Sequence, residues 1–281
     1  MDSTVPWTVE APELSDRDLS SIARMVYDAC GINLHEGKRA LVAARLQKRL
    51  RHGGFQSFRQ YIRFVRSDAS GRELTALLDA IATNHTSFFR EPRHFEFFAE
   101  TMLPPLVERA GPLAIWSAGC ATGEEPYTIG MMLLEQLGPQ AGQRVRLTAT
   151  DLSTKALSAA SAGIYKAARL DELPPGYRKY FSKGIGTQSG LVRLTPMVRN
   201  LVDFKWLNLL EPAAAPASQD VIFCRNVMIY FDHAVQQRVI AALEQQLAPG
   251  GYLVVSHSES LGSVDHGLRW VAPSIYQRGR R

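Results

Sequence analysis

The residues best suited to chemistry gather around Leu113–Tyr127, LAIWSAGCATGEEPY. An apolar run from Leu113 to Trp116 ends in small residues, 117–123. Two carboxylates, Glu124 and Glu125, follow, and then a helical pattern begins. A third carboxylate, Asp151, closes the strand candidate Val145–Thr150, and Arg225 and Asn226 close the apolar run Val221–Cys224, with Tyr230 just beyond. A carboxylate at the tip of the strand after a glycine turn can accept hydrogen bonds from both hydroxyls of a ribose. Two carboxylates at the start of the helix would repel the phosphates of a dinucleotide. They suit a nucleoside ligand with an ammonium and a sulfonium, which favours S-adenosylmethionine over NAD. Plainer roles stay open for each residue. The glutamates could simply complement the helix dipole, Asp151 could be a helix N-cap, and Arg225 could be a structural ion-pair residue. Cys224 reads as a small buried residue, since nothing places a base beside it.

These residues need a scaffold of strand, tight turn and helix. The spacing Gly119-x-Ala121-x-Gly123 lets the backbone turn where no large side chain fits, and a helix N-terminus then faces the ligand. Strands are expected at Leu113–Ser117, Val145–Thr150, Val221–Cys224 and Tyr252–Ser256. Helices are expected at Glu125–Leu137, Thr154–Ser161 and Ala234–Leu247. This alternation predicts a doubly wound α/β domain with a parallel sheet. From about Leu173 to Asn208 the alternation breaks. Short runs at Leu191–Leu194 and Leu201–Phe204, with KGIGTQSG before them, predict a small antiparallel insertion. Ala213–Ser218 is a small-residue loop.

Residues 1–14 read as a flexible tail. Helices follow at Ser15 to Gly31, at about Gly37–His52, at Ser57–Arg66 and at Gly71–Ile81. On the second of these, Val42, Leu46 and Leu50 form one apolar row. Lys38, Arg45, Lys48 and Arg49 gather within an arc of about 100°. That basic arc is either a solvated face or a docking surface for an acidic partner. Glu91 to Arg109 reads as a helix interrupted by Pro104-Pro105.

The chain has 281 residues and a net charge of +5, which allows an acidic partner without naming one. No apolar run reaches the roughly 20 residues of a membrane span. The N-terminus lacks a signal-peptide pattern. The three cysteines are widely spaced and form neither a disulfide framework nor a metal-ligand spacing, so a reducing cytoplasm is expected and no metal.

Taken together, TNHTSFFRE at 83–91, WSAGCATGEEPY at 116–127, ATDLS at 149–153, LNLL at 207–210, FCRNVMIYFD at 223–232 and SHSES at 256–260 resemble the CheR family of chemotaxis protein-glutamate O-methyltransferases. The resemblance covers nearly the whole chain. It implies a Rossmann-like class I SAM-dependent methyltransferase domain with a small antiparallel β-insertion, preceded by an all-helical N-terminal domain. The expected boundaries are 1–82 for the helical receptor-docking domain, 83–110 for a linker and junction helix, and 111–281 for the methyltransferase domain, with the β-subdomain at about 173–208.

The resemblance also implies roles. Asn84, Thr86 and Arg90 would contact the cofactor, Glu125 its amino group and Asp151 its ribose. Asn208 and Leu209 would border the adenine, and Arg225 and Asn226 would close the site. Arg90 and Tyr230 would steer and orient the substrate carboxylate. His85, where many members have Leu or Thr, is expected to be a surface or packing residue. The implied reaction converts receptor glutamates to methyl esters, with S-adenosyl-L-homocysteine as the second product. Partners would be chemoreceptor cytoplasmic domains, met by Lys38, Arg45, Lys48 and Arg49. The loop with Gly184, Gly186 and Gly190 resembles that of members tethered to a receptor's C-terminal pentapeptide by strand addition. A monomer outside the membrane, with no nucleic-acid partner, is expected.

Two other classes share parts of this pattern. A nucleic-acid methyltransferase would carry an Asn/Asp-Pro-Pro-aromatic tetrapeptide where this chain has Arg225-Asn226-Val227-Met228. A non-catalytic module binding the cofactor or its product would not need every matched site residue intact.

Overall fold

The computed structural model describes residues 12–211, 215–216 and 218–280. Most of the tail and part of the 213–218 loop therefore lie outside the described residues. The chain forms two compact units, Met1–Ala82 and Thr83–Arg281.

The first unit is helical. Helix α1 (Asp16–Cys30) starts where the Ser15 hydroxyl accepts from the Asp18 N–H, and it ends at Gly31 in the left-handed conformation. Its Leu19, Ile22 and Val26 are buried, as the 3.6-residue period requires. Helix α2 (Arg39–Gly53) buries Val42, Leu46 and Leu50. Helices α3 (Phe58–Ser67) and α4 (Arg72–Ile81) complete the unit.

The second unit opens with α5 (Pro92–Phe97), a π-helical turn (Phe98–Met102) and α6 (Leu103–Glu108). The prolines do not break the path. Pro104 and Pro105 fall in the first turn of α6, where a missing N–H costs least, and the wider π turn absorbs the change of register. Residues 83–110 are therefore integral to the second unit. Phe88, Phe95, Phe98 and Met102 are buried in its main hydrophobic core.

The order then runs β1 (Leu113–Ala118), α7 (Glu124–Leu137), α8 (Ala141–Arg144), β2 (Val145–Asp151), α9 (Thr154–Ala162) and β3 (Ile164–Lys166). It continues with β4 (Phe181–Lys183), β5 (Leu191–Leu194), α10 (Pro196–Arg199), β6 (Val202–Trp206), β7 (Gln219–Phe223), α11 (His233–Gln246), β8 (Leu247–Val254), β9 (Arg269–Ala272) and β10 (Ile275–Gln277). The main sheet has the order β6-β2-β1-β7-β8-β10-β9. Its first five strands are parallel, and β10 and β9 add antiparallel strands at one side. The chain reverses its direction of travel across the sheet between β1 and β7, which opens a crevice at their C-terminal ends.

One expectation is corrected here. The run Leu201–Phe204 does not belong to the antiparallel insertion. From Val202 on it belongs to β6, which pairs in parallel with β2, with Asp151 opposite Trp206. The insertion is the three-stranded sheet β3-β5-β4, so it begins at Ile164 rather than at Leu173. Phe88 anchors it, with ring centroids 5.0 Å from Tyr165 and 5.4 Å from Phe181.

Candidate functional site

The turn after β1 is built tightly. The N–H groups of Gly119 and Cys120 both donate to the Thr150 carbonyl, at 2.8 and 2.9 Å, which locks the turn to the end of β2. Gly119 has φ +82, and a Cβ there would stand 2.4 Å from Val227 Cγ2. Only glycine meets both conditions. Ala121 is also left-handed, at φ +47. Its N–H donates to Asp151 Oδ2 at 2.8 Å, while Asp151 Oδ1 accepts from Ser153 N–H at 2.8 Å. These two bonds fix the orientation of Asp151 at the end of β2. Ser153 in turn caps α9 and accepts from the Asn84 amide at 3.4 Å.

The two glutamates part company, because successive helix positions point about 100° apart. Glu124 accepts from the Thr122 hydroxyl at 2.6 Å. Burial pushes its carboxyl above the usual range, against the pull of the Thr122 hydrogen bond. Glu125 is buried and accepts from the Ser117 hydroxyl at 2.7 Å and from Arg225 Nη1 at 2.9 Å. Arg225 is thus spent largely on protein groups. Its Nη2 lies 3.2 Å from Glu91 and also donates to the Arg90 carbonyl. Its guanidinium lies 5.3 Å from the Phe95 ring centre. Its Nε is buried without a partner, a donor held ready for an acceptor.

Asn226 is left-handed, at φ +59. Its N–H donates to Glu259 at 2.8 Å and its amide to Ser256 Oγ at 2.7 Å. Glu259 also takes the Ser256 and Ile229 N–H groups, yet burial still raises its carboxyl. Tyr230 is half-buried in the single 3-10 turn that follows, Met228–Tyr230. Arg90 is half-buried and donates to the His85 carbonyl at 3.1 Å; His85 itself is exposed, and Thr86 is half-buried. Asn208 is buried just past β6, where its Oδ1 caps Leu210 N–H at 3.2 Å and its amide meets Glu211. Leu209 beside it is half-buried. The ends of β1, β2, β6 and β7 therefore bring Glu125, Asp151, Asn208 and Arg225 to one sheet edge.

Glu91, Ser256 and Glu259 were not singled out from sequence, although all three lie inside the quoted motifs. Burial pushes the Glu91 carboxyl up, but Ser256, Arg225 and the His257 N–H outweigh it and hold it at about 2. Glu91, His94 and His257 also bring ligand-type atoms within 4.8 Å of one another. The guanidinium of Arg225 already balances that carboxylate. His94 is lowered to about 4, first by burial and then by Arg225.

The basic residues of α2 and of the turn before it divide as well. Arg45 donates to the carbonyls of Ile81 and Ala82 at the end of α4. Arg49 holds Glu73 with two parallel bonds. Lys48 is exposed and Lys38 half-buried. In the β-insertion, a Cβ on Gly184 would stand 2.1 Å from the Gln188 carbonyl oxygen, and Gly186 and Gly190 are left-handed.

The donor set fits S-adenosylmethionine. A carboxylate stands at the end of β2, a turn of small residues lies against it, and a buried guanidinium Nε nearby has no hydrogen-bond partner.

Comparison with known proteins agrees. Residues 17–82 match the all-alpha domain of CheR methyltransferases, and residues 84–275 match their SAM-binding domain. The chemotaxis protein methyltransferase of Borreliella burgdorferi is 37% identical over 93% of this chain and 94% of its own. That of Escherichia coli is 38% identical over 94% and 91%. Chemotaxis protein methyltransferase 2 of Pseudomonas aeruginosa is 38% identical over 92% of each. A methyl-donor cradle at the switch point of the sheet, together with these full-length matches, shows that the chain belongs to the CheR family of SAM-dependent chemotaxis methyltransferases.

Proposed function

We propose that the chain methylates glutamate side chains on the cytoplasmic domains of bacterial chemoreceptors, giving methyl esters. The observation that carries this reading is the pairing of an acid-lined nucleoside cradle with a half-buried cation, Arg90, in the segment that borders it. S-Adenosylmethionine, when bound, supplies a methyl group on a positively charged sulfur. Asp151 would hold its ribose, with Asn84 fixed beside it through Ser153. Asn208 and Leu209 would border its adenine. Glu125 retains acceptor capacity for its amino group, and the Nε of Arg225 and the Asn226 region would close the site. Thr86 would line the same segment.

A glutamate carboxylate is ionised at pH 7 and needs no base to attack. The task left for the protein is alignment and exclusion of water. Arg90 would draw the carboxylate in by charge, and Tyr230 would fix one of its oxygens by a hydroxyl hydrogen bond. The enzyme would work in the cytoplasm as a monomer. No helix among the described residues is long and apolar enough to cross a membrane.

Two surfaces would supply the partner. Lys48 on α2 and Lys38 just before it would meet an acidic receptor helix, while Arg45 and Arg49 hold α2 and α4 together. In the insertion, β4 is an end strand of β3-β5-β4, so a receptor tail could add to its free edge, with the Gly184–Gly190 loop alongside. Such tethering would raise the local concentration of receptor. The test is incubation with methyl-labelled S-adenosylmethionine and receptor cytoplasmic fragments. Base-labile label on glutamate supports the reading; base-stable label, or none on any fragment, overturns it.

A further inference from the structure

Arg90 sits on an unusual stretch of backbone. Phe89 before it has φ +52 and Glu91 after it has φ +58. Neither is glycine, so both side chains sit in a strained backbone region. Glu91 also precedes Pro92, a position biased toward extended backbone. Something must hold this conformation. On one side, Phe89 N–H donates to Thr128 Oγ1 at 3.2 Å, and that hydroxyl donates to the Glu124 carbonyl at 2.8 Å. On the other side, the Glu91 carboxylate gathers several holding groups. Its Oε1 accepts from Ser256 Oγ at 2.8 Å. Its Oε2 accepts from the His257 N–H at 3.3 Å and lies 3.2 Å from Arg225 Nη2. The same Arg225 nitrogen donates to the carbonyl of Arg90 itself. Glu91 thus joins the segment that carries Arg90 to the segments after β7 and β8.

We infer that Glu91 is a positioning residue for methyl transfer: through Arg225 and the left-handed backbone on either side of Arg90, its carboxylate sets where the Arg90 side chain starts. This rests on the proposal that Arg90 serves the substrate carboxylate. Glu91 does not touch the reacting atoms; its effect passes through Arg90. Gln at position 91 keeps the shape but loses the charge that holds Arg225. Gly at position 91 relieves the backbone but removes the carboxylate.

The experiment is a double-mutant cycle on the full chain with receptor fragments, measuring kcat, KM and calorimetric cofactor affinity for Glu91→Gln, Arg90→Ala and the double variant. We expect Glu91→Gln to lower kcat about tenfold or more, with much less change in cofactor affinity, and to cost under about twofold further in the Arg90→Ala background. Glu91→Gly should be as impaired as Glu91→Gln. Wild-type kcat in Glu91→Gln, restored kcat in Glu91→Gly, or full additivity with Arg90→Ala overturns the inference. An unimpaired Arg90→Ala removes the role of Arg90 first and the inference with it, which separates the two failures. Ser256→Ala, which loosens Glu91 without changing its charge, should lower kcat in the same Arg90-dependent way and gives the cycle a second variant if Glu91→Gln does not fold.

Discussion

Asp151 spends one bond on the glycine turn and one on the start of α9. Asp151→Asn keeps the size but turns an acceptor pair into one acceptor and one donor. Cofactor affinity by calorimetry should fall about tenfold or more, with the fold intact by circular dichroism. Tyr230→Phe removes only a hydroxyl. If that hydroxyl orients the substrate carboxylate, kcat should drop about tenfold and cofactor affinity should hold; an unchanged kcat would assign Tyr230 to packing. His94 gives a pH signature. Its folded value, about 4, lies below its ordinary value near 6.5. A histidine kept neutral by the fold stabilises it fully above 6.5, and that share is lost as pH falls toward 4, where the unfolded chain binds the extra proton. Denaturant titrations between pH 7 and 4 should therefore show a shallower loss for His94→Gln than for the wild type. A parallel loss would place the titrating group elsewhere.

The elements differ in how plainly the sequence announces them. Apolar runs ending in small or polar residues mark β1 and β7, because a buried parallel strand is apolar on both faces; β2, with Arg146 exposed, is marked instead by its place after α7 and by its end at Asp151. The Ser15 cap and the apolar rows of α1 and α2 are equally plain. Leu201–Phe204 is not, since the same short pattern suits an edge parallel strand or a hairpin arm, and only its pairing with β2 decides. The antiparallel pair β9 and β10 and the π turn also escape local reading, because partners and register define them. Among site residues, Asp151 and Glu125 were visible from their places at element ends. The hub at Glu91 was not, since its partners Arg225 and Ser256 lie more than a hundred positions away along the chain. Arg49 shows the same limit at the scale of a helix. On sequence it belongs to a basic face, yet in the fold it clamps Glu73, whose side chain is only 9% exposed. Arg49→Ala strands that carboxylate and should cost about 2 kcal/mol in chemical denaturation, less than a fully buried pair because Arg49 is itself a third exposed. Lys48→Glu should leave stability nearly unchanged and raise KM for receptor fragments. Equal KM effects from both variants would mean that the basic face acts as a whole.

At the scale of the molecule the charge is unevenly placed. Residues 37–67 hold nine lysines and arginines and no aspartate or glutamate, although the whole chain nets only +5. The remainder of the chain is therefore net acidic, and the positive potential belongs to the stretch that contains α2 and α3. A field of this kind steers an acidic partner toward one face and weakens as salt shortens the Debye length from about 30 Å at 0.01 M to about 8 Å at 0.15 M. The cradle works differently. Its carboxylates, Asp151 and Glu125, are buried and hydrogen-bonded at short range, where salt screens little. The two halves of the reaction should thus respond separately to ionic strength. Raising salt across this range should increase KM for receptor fragments several-fold while calorimetric affinity for S-adenosylmethionine stays nearly constant. In a variant carrying Lys48→Glu and Arg63→Glu, both exposed positions, the receptor KM should start high and respond less to salt. If KM for receptor does not move with salt in the wild type, the basic stretch is a solvated surface, and receptor recognition rests on the β-insertion or on the residues around Arg90.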